Sequence, residues 1–362
     1  MSRSQPRLLD DPAGVAAWQA AILAWYDARG RSLPFRGTSD PYAILVSETM
    51  AQQTQIARVG PAWAAFMARF PTIEALATAP PADVLRAWQG LGYNRRALNL
   101  QRAARIVVAE HGGRLPREIA ALERLPGIGP YTARAVAAIA FGAPVGAVDT
   151  NVRRVLGRVV AGDPALVRPT ELQELADRLT PASRAAYWTH ALMDVGSTFC
   201  RSQGPRCPDC PARPWCRYAA VDQARPTAPA ADRPTDGRTD RRTGSRADGR
   251  TGGRARRSGS PGPARPPRPA FERTTRWLRG RIIDRACEVP GASWARFDGP
   301  IGAHPPDAVV AMLTVLAREG LLELASHDER LARLPHEVGE GAGQAAATSE
   351  RRPGGPTPEA RR

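Results

Sequence analysis

Along residues 12–220 apolar side chains recur three and four positions apart, with little strand-like alternation. This spacing predicts a succession of helices. The expected segments are 17–26, 61–70, 81–88, 96–110, 119–124, 131–141, 151–160, 170–179 and 184–195, with one more opened by Pro41 and running through Ile44, Leu45 and Met50. Several begin at Pro or at Ser, Thr or Asp and end near Gly, as helices do. An all-α domain is the expectation. The pattern then breaks. Residues 222–269 are rich in Pro, Gly, Arg, Asp, Ser and Thr and hold almost no large apolar side chain, which predicts a disordered linker. Its twelve Arg against five Asp make it basic, suited to a flexible spacer or a nonspecific tether on a polyanion. Residues 271–336 regain pattern, with a helix over 271–287, a second over 307–318, and short strands at 321–324 and 332–334. Helices followed by a hairpin suggest a small winged-helix-like unit. Residues 338–362 read as a disordered tail.

Charge sharpens this picture. The 362 residues carry 51 basic against 35 acidic side chains, a formal net charge of +16, and every basic one is Arg. An Arg-only complement fits a high-GC coding bias, but the net charge itself favours a nucleic-acid partner. No apolar run is long enough to span a membrane, and residues 1–10 hold no apolar signal segment. A reducing cytoplasm, with the chain held on the nucleoid by DNA, is the expected location.

Four of the five cysteines crowd together. Cys200, Cys207, Cys210 and Cys216 form C-x6-C-x2-C-x5-C, which without a secretion signal points to metal rather than disulfides. Four thiolates can close on zinc or on an iron–sulfur cluster, and spacing alone does not choose. The pattern is not a common zinc-finger spacing and contains no His. Arg201, Arg206, Arg213 and Arg217 interleave with the cysteines, so the loop either presses on a DNA backbone or only staples the end of the helical domain. Cys287 stands apart as an expected buried apolar side chain.

A second feature lies upstream. Leu125-Pro126-Gly127-Ile128-Gly129-Pro130 separates two helical stretches. Gly127 and Gly129 allow a tight turn and leave amides open to a phosphate at the next helix start. Asp149 follows in VDTNVRR, just before another helix, where an N-cap is the alternative role. LPGIGPYTA, then VDTNVRRVL, then the cysteine loop resemble the helix–hairpin–helix DNA glycosylase superfamily. Leu33-Pro34-Phe35-Arg36, Pro41-Tyr42, SETMAQQT at 47–54 and GLGY at 90–93 resemble its adenine glycosylase (MutY-type) branch. The likeness covers about residues 15–218.

The resemblance implies two helical subdomains with one 4Fe-4S cluster per chain on the four cysteines, zinc being the alternative. It implies a monomer acting on double-stranded DNA with A:8-oxoguanine or A:G mismatches. Breaking an N-glycosidic bond calls for an acid at the base and an anion near the sugar. Glu48, in a mostly uncharged helix, is the expected acid, partly buried and with a raised pKa; the resemblance implies that it protonates adenine at N7 and helps to activate water. Asp149 is the expected anion; the resemblance makes Asn151 its supporting amide and puts Tyr131 at a position that hydrogen-bonds in the adenine site. The adenine must leave the stack, and Gln52, Gln53 and Thr54 follow Glu48 by about one turn. The resemblance makes Gln53 the inserting side chain and Leu91, Gly92 and Tyr93 a second wedge, with a core role for Leu91 or Tyr93 as the competing reading. Arg31 and Arg36 match pocket or backbone contacts.

Bifunctional relatives carry a lysine nucleophile where this chain has Tyr131, and the chain has no lysine at all. Base removal without an efficient lyase step is therefore expected. The chain departs from the branch in lacking a Nudix-like region and in having Phe35, Ala51 and Asn94 for the usual Trp, Leu and second aromatic. Recognition of 8-oxoguanine is expected to rest more on Leu91 and Tyr93. The competing readings are an endonuclease III-like glycosylase for oxidised pyrimidines, opposed by Glu48 and Tyr131, and a catalytically silent DNA-binding or electron-transfer protein, opposed by the retention of both carboxylates.

Overall fold

The computed structural model describes residues 11–224 and 270–336. Most of the described chain is helical. Helices α1 (Pro12–Arg29), α2 (Pro41–Ala51), α3 (Ile56–Arg69), α4 (Ile73–Thr78), α5 (Pro81–Ala87), α6 (Arg95–His111), α7 (Ile119–Glu123) and α8 (Pro130–Phe141) are followed by α9 (Thr150–Ala161), α10 (Pro169–Arg178), α11 (Ala185–Thr198) and α12 (Arg217–Ala224). No described helix is long and apolar enough to cross a membrane.

Two cores divide these helices. One gathers Met50, Phe66, Trp88, Leu122 and Val136 from α2, α3, the end of α5, α7 and α8. The other gathers Trp18, Leu156, Leu175 and Trp188 from α1, α9, α10 and α11. Trp18 meets Trp188 edge-on, with ring centroids 5.0 Å apart, a geometry that aligns the ring quadrupoles favourably. The chain thus enters the second subdomain with α1, builds the first, and returns at α9. The active-site candidates lie where it crosses between them.

The C-terminal unit has helices α13 (Thr275–Glu288) and α14 (Pro306–Arg318) and strands β1 (Ala295–Arg296), β2 (Glu323–Ala325) and β3 (Asp328–Arg333). The strands form an antiparallel sheet in the order β1-β3-β2. Helix, strand, helix and hairpin follow one another as in a winged helix. Its apolar residues Leu278, Ile282, Phe297 and Leu313 join the first subdomain's core. The seam is also polar: Arg86 of α5 donates to the carbonyls of Cys287, Val289 and Gly291, and Ala82 N donates to Pro335 O.

Several boundaries differ from the sequence reading. Pro61 does not open a helix but lies inside α3, which starts at Ile56. Burial of Val59, Gly60 and Phe66 holds the turn ahead of it, so packing outweighs the bond that proline cannot make. Helix α4 was not expected; six residues are too few to show a period, and Thr72 caps it by accepting from Ala75 N. Strand β1, at two residues, is likewise too short to read. The expected linker starts inside a helix, because residues 222–224 belong to α12. Its remainder, 225–269, and the expected tail at 338–362 lie outside the described residues. Cys287 is buried, as expected.

Candidate active site

Residues Tyr42 through Met50 of α2 are all buried. Asp40 fixes where the helix begins, its carboxylate accepting from Tyr42 N and Ala43 N. Glu48 is therefore held among apolar neighbours, 8% exposed. Burial pushes its carboxyl up to about 7, and the nearby Asp149 adds to the rise. A hydrogen bond from Tyr131 and the charge of Arg36 pull the other way. The phenol of Tyr131, in the first turn of α8, donates to Glu48 Oε2 at 3.0 Å. Burial first, then the adjoining Glu48, holds that phenol well above its ordinary range.

Asp149 enters from the other subdomain. It is the N-cap of α9: Oδ1 accepts from Val152 N at 2.6 Å, and Oδ2 accepts from Asn151 Nδ2 at 2.9 Å. Capping and the cavity involve the same side chain. Glu48, Asp149, Asn151 and Tyr131 all line one cavity of about 1090 Å³ between the subdomains, large enough for a nucleotide. Such a pair, one carboxyl able to hold a proton and one anchored by donors, is suited to acid–base chemistry at a single bond.

Arg31 and Arg36 also face this cavity. Both are tied to Asp194, which has no exposed surface: Arg31 through its backbone N and side chain, Arg36 through two nitrogens at 2.8 and 2.9 Å. Burial alone would raise the Asp194 carboxyl, but the hydrogen bonds from Arg36 and Arg31 outweigh it and lower the value. The sequence reading missed Asp194, though an acid inside the apolar stretch ALMDVG was a usable signal. It also missed His190, which lines the cavity one turn earlier. Burial, with Arg36 next, lowers that imidazole to about 3 and keeps it neutral.

The expected wedge elements at the end of α2 and on the 90–93 turn line one cleft together. Gln52 and Gln53 line the cavity, and Gln52 Nε2 donates to Thr132 Oγ1 at 3.1 Å. Gln53 and Tyr93 have φ of 54° and 49°, a left-handed conformation rare outside glycine and frequent where function holds the backbone. Tyr93 is 42% exposed, whereas Leu91 is 6% exposed and packs in the first core. Leu91 also lines the cleft beside Tyr93. Gly92 gives its carbonyl to Arg96. Thr54 is not in the cavity lining; its hydroxyl accepts from Arg96 Nη2 at 3.1 Å and donates to Gln52 O at 3.3 Å.

Arg96 was not foreseen. Its guanidinium donates to the carbonyls of Thr49, Met50 and Gln52 at the end of α2 and to those of Leu91 and Gly92. One side chain thereby joins the acid-bearing helix to the 90–93 turn.

The hairpin lies between α7 and α8. Gly127 has φ of 80°, and a Cβ there would come within 2.9 Å of Asn99 Cβ. Gly129 is extended, and a Cβ there would meet nothing within 4 Å. The approach to the following amides is open, as a phosphate grip requires.

Cys200, Cys207, Cys210 and Cys216 line one small pocket with Phe199, Tyr218 and Arg158. Burial pushes the Cys210 thiol up to about 12 and raises Cys216 as well. Arg158 donates to Cys200 Sγ at 3.4 Å and to Arg201 O at 2.8 Å. Arg154 donates to Cys200 O, to Gly196 O at 2.8 Å and to Asn151 Oδ1 at 2.7 Å. The cysteine loop is thus braced against the helix that carries Asp149.

Residues 46–181 match the model of the HhH-GPD superfamily of base excision DNA repair proteins. The chain is 48% identical over 205 residues to the adenine DNA glycosylase of Mycolicibacterium smegmatis, covering 55% of this chain and 69% of that one. It is 38% identical over 297 residues to the adenine DNA glycosylase of Mycobacterium tuberculosis H37Rv, covering 79% and 85%. Among solved structures, a thermostable thymine-DNA glycosylase superposes with a TM-score of 0.54 at 30% identity, covering 57% of this chain and 97% of that one. With the two carboxylates in one cavity and these likenesses spanning both subdomains, the chain belongs to the adenine DNA glycosylase family, hydrolases of N-glycosyl bonds in DNA base-excision repair.

Proposed function

We propose that the chain removes adenine paired with 8-oxoguanine or guanine, with Glu48 as acid and Asp149 as the anion at the sugar. The observation that carries this reading is the shared cavity, with Glu48 raised to about 7 and Asp149 anchored by an amide and a side-chain amide. The adenine swings out of the duplex into the cavity. Protonated Glu48 gives its proton to N7, so that the electron pair of the breaking C1′–N9 bond settles on a neutral base. Asp149 stabilises the oxocarbenium-like sugar, and Asn151 holds Asp149 in place. The ionised Glu48 then takes a proton from water as its oxygen bonds to C1′, leaving free adenine and an abasic site. Tyr131 keeps the Glu48 carboxyl oriented, and Arg36, held on Asp194, faces the extruded base. Gln53 fills the gap and Tyr93 wedges the stack, while Gly127 and Gly129 hold backbone phosphate. With no lysine in the chain, imine formation and strand cleavage are not efficient steps. Both carboxylates come from one chain, which supports action as a monomer.

The four thiols suit a 4Fe-4S cluster. The donor set is all sulfur around one pocket, which selects soft metal. When bound, the cluster supplies a rigid crosslink of the loop, and Arg154 carries that rigidity to Asn151. About four iron atoms per chain and absorbance at about 400 nm would support it; one zinc would overturn it.

Duplexes with A:8-oxoguanine, A:G and thymine glycol:A, each read after mild alkali, test the substrate. Release from the first two is expected. Release from the third alone would replace this reading with the pyrimidine one. Glu48→Gln and Asp149→Asn are expected to abolish release.

A further inference from the structure

A second cleft, of about 840 Å³, lies between the 90–93 turn and helix α13. Gln52 and Gln53 line both this cleft and the catalytic cavity, so the two are opposite faces of one partition. Their linings are unlike. Each has two carboxylates, but the catalytic cavity has three arginines and the cleft six. Its two carboxylates are already neutralised: Glu319 pairs with Arg279 and Asp284 with Arg281. Arg58, Arg95 and Arg276 are exposed in it, and among the described residues they form no ion pair with a carboxylate. Arg276 reaches from the C-terminal unit and lies 4.4 Å from the centroid of the Tyr93 ring, which places a cation beside the wedge.

We propose that this cleft holds the sugar–phosphate backbone of the strand opposite the adenine, with Arg276 and Arg95 as phosphate contacts, so that the C-terminal unit forms one wall of the DNA site. The inference rests on the reading that Gln53 and Tyr93 enter the duplex. A duplex wedged at the partition, with its adenine swung to one side, has its other strand on the second side. An exposed cluster of arginines with no carboxylate partner among the described residues is suited to a polyanion, and a strand so held releases counterions as it binds. The unit's docking through Arg86 and the shared apolar core fixes α13 close enough to the turn for the contact.

The test uses the full chain and measures binding rather than excision. Arg276→Met keeps a long packing side chain on Tyr93 and removes the charge; Arg276→Lys keeps the charge. Affinity for an A:8-oxoguanine duplex is measured over a series of salt concentrations. Arg276→Met is expected to weaken binding about fivefold and to lower the slope of log affinity against log salt by about one, and Arg276→Lys to restore the slope. Adding Arg95→Met is expected to lower the slope by about one more. Hydroxyl-radical footprints on each labelled strand are expected to show lost protection on the strand opposite the adenine. An unchanged slope in the double variant, or protection lost only on the adenine strand, would overturn the proposal. The excision roles of Glu48 and Asp149 are judged by adenine release, so either reading can fail without the other.

Discussion

The Tyr131 phenol and Glu48 Oε2 are 3.0 Å apart, the phenol donating to the carboxyl. Burial pushes Glu48 up to about 7 and this bond holds it down. Tyr131→Phe is therefore expected to move the alkaline limb of single-turnover excision to higher pH. The rate at the optimum should drop by about tenfold as the carboxyl loses its orientation. A limb that stays in place would mean that Glu48 is not the acid.

The same burial makes stability depend on pH. A carboxyl raised in the fold from its ordinary 4.5 to about 7 contributes stability that is fully present below about 4.5 and is lost as pH rises through about 7. The loss is about 3 kcal/mol once ionisation is complete. Glu48→Gln carries no charge at either extreme. Urea denaturation should find it close to wild type at about pH 4 and more stable at about pH 8. Equal differences at both pH values would place the ionised carboxylate in a more solvated setting.

Asp149 both caps α9 and faces the cavity, and the two roles separate in Asp149→Asn. Asparagine caps a helix about as well as aspartate, so the thermal midpoint should change by less than about 3 °C. Excision should fall by at least about a thousandfold because the anion is lost. A large fall in stability would show that capping dominates.

The cysteine loop reaches the site through Arg154, which bridges Cys200 O and Asn151 Oδ1. Arg154→Met is expected to keep the chromophore of the proposed cluster while slowing excision about tenfold or more, because Asn151 loses its anchor. Cys210→Ser is expected to lose both colour and stability. Optical spectra and single-turnover rates on the same preparations distinguish the two variants.

Arg96 gathers the carbonyls of Thr49, Met50, Gln52, Leu91 and Gly92. Arg96→Ala should cost about 2–4 kcal/mol, since it leaves several part-buried carbonyls without a donor. Arg96→Lys should recover little of this, an ammonium being unable to span the fork. Denaturant midpoints decide the matter, and a rescue by lysine would show that only charge matters there.

Much of this protein could be read along the chain. The 3.6-residue period marked α6, which buries one face, and apolar residues three and four apart marked α8, α9 and α11, although α8 and α9 are buried on nearly every side. Pro126, Gly127 and Gly129 announced the hairpin by their own backbone limits. The clustered cysteines, by their number and nearness, marked the loop that the fold gathers around one pocket, and SETMAQQT with VDTNVRR drew attention to Glu48 and Asp149. Such signals are local: a residue's own torsions, period or neighbours decide them. Only the tertiary structure could put Glu48 and Asp149, which belong to different subdomains, into one cavity, set Tyr131 and Arg36 against the burial that raises Glu48, and seat Arg276 on Tyr93. Asp194, Arg96 and Arg154 escaped the sequence reading for the same reason. Each acts through groups far from it in the chain or on facing turns, and an isolated charged letter does not disclose which carbonyl, carboxylate or guanidinium the fold will bring to it.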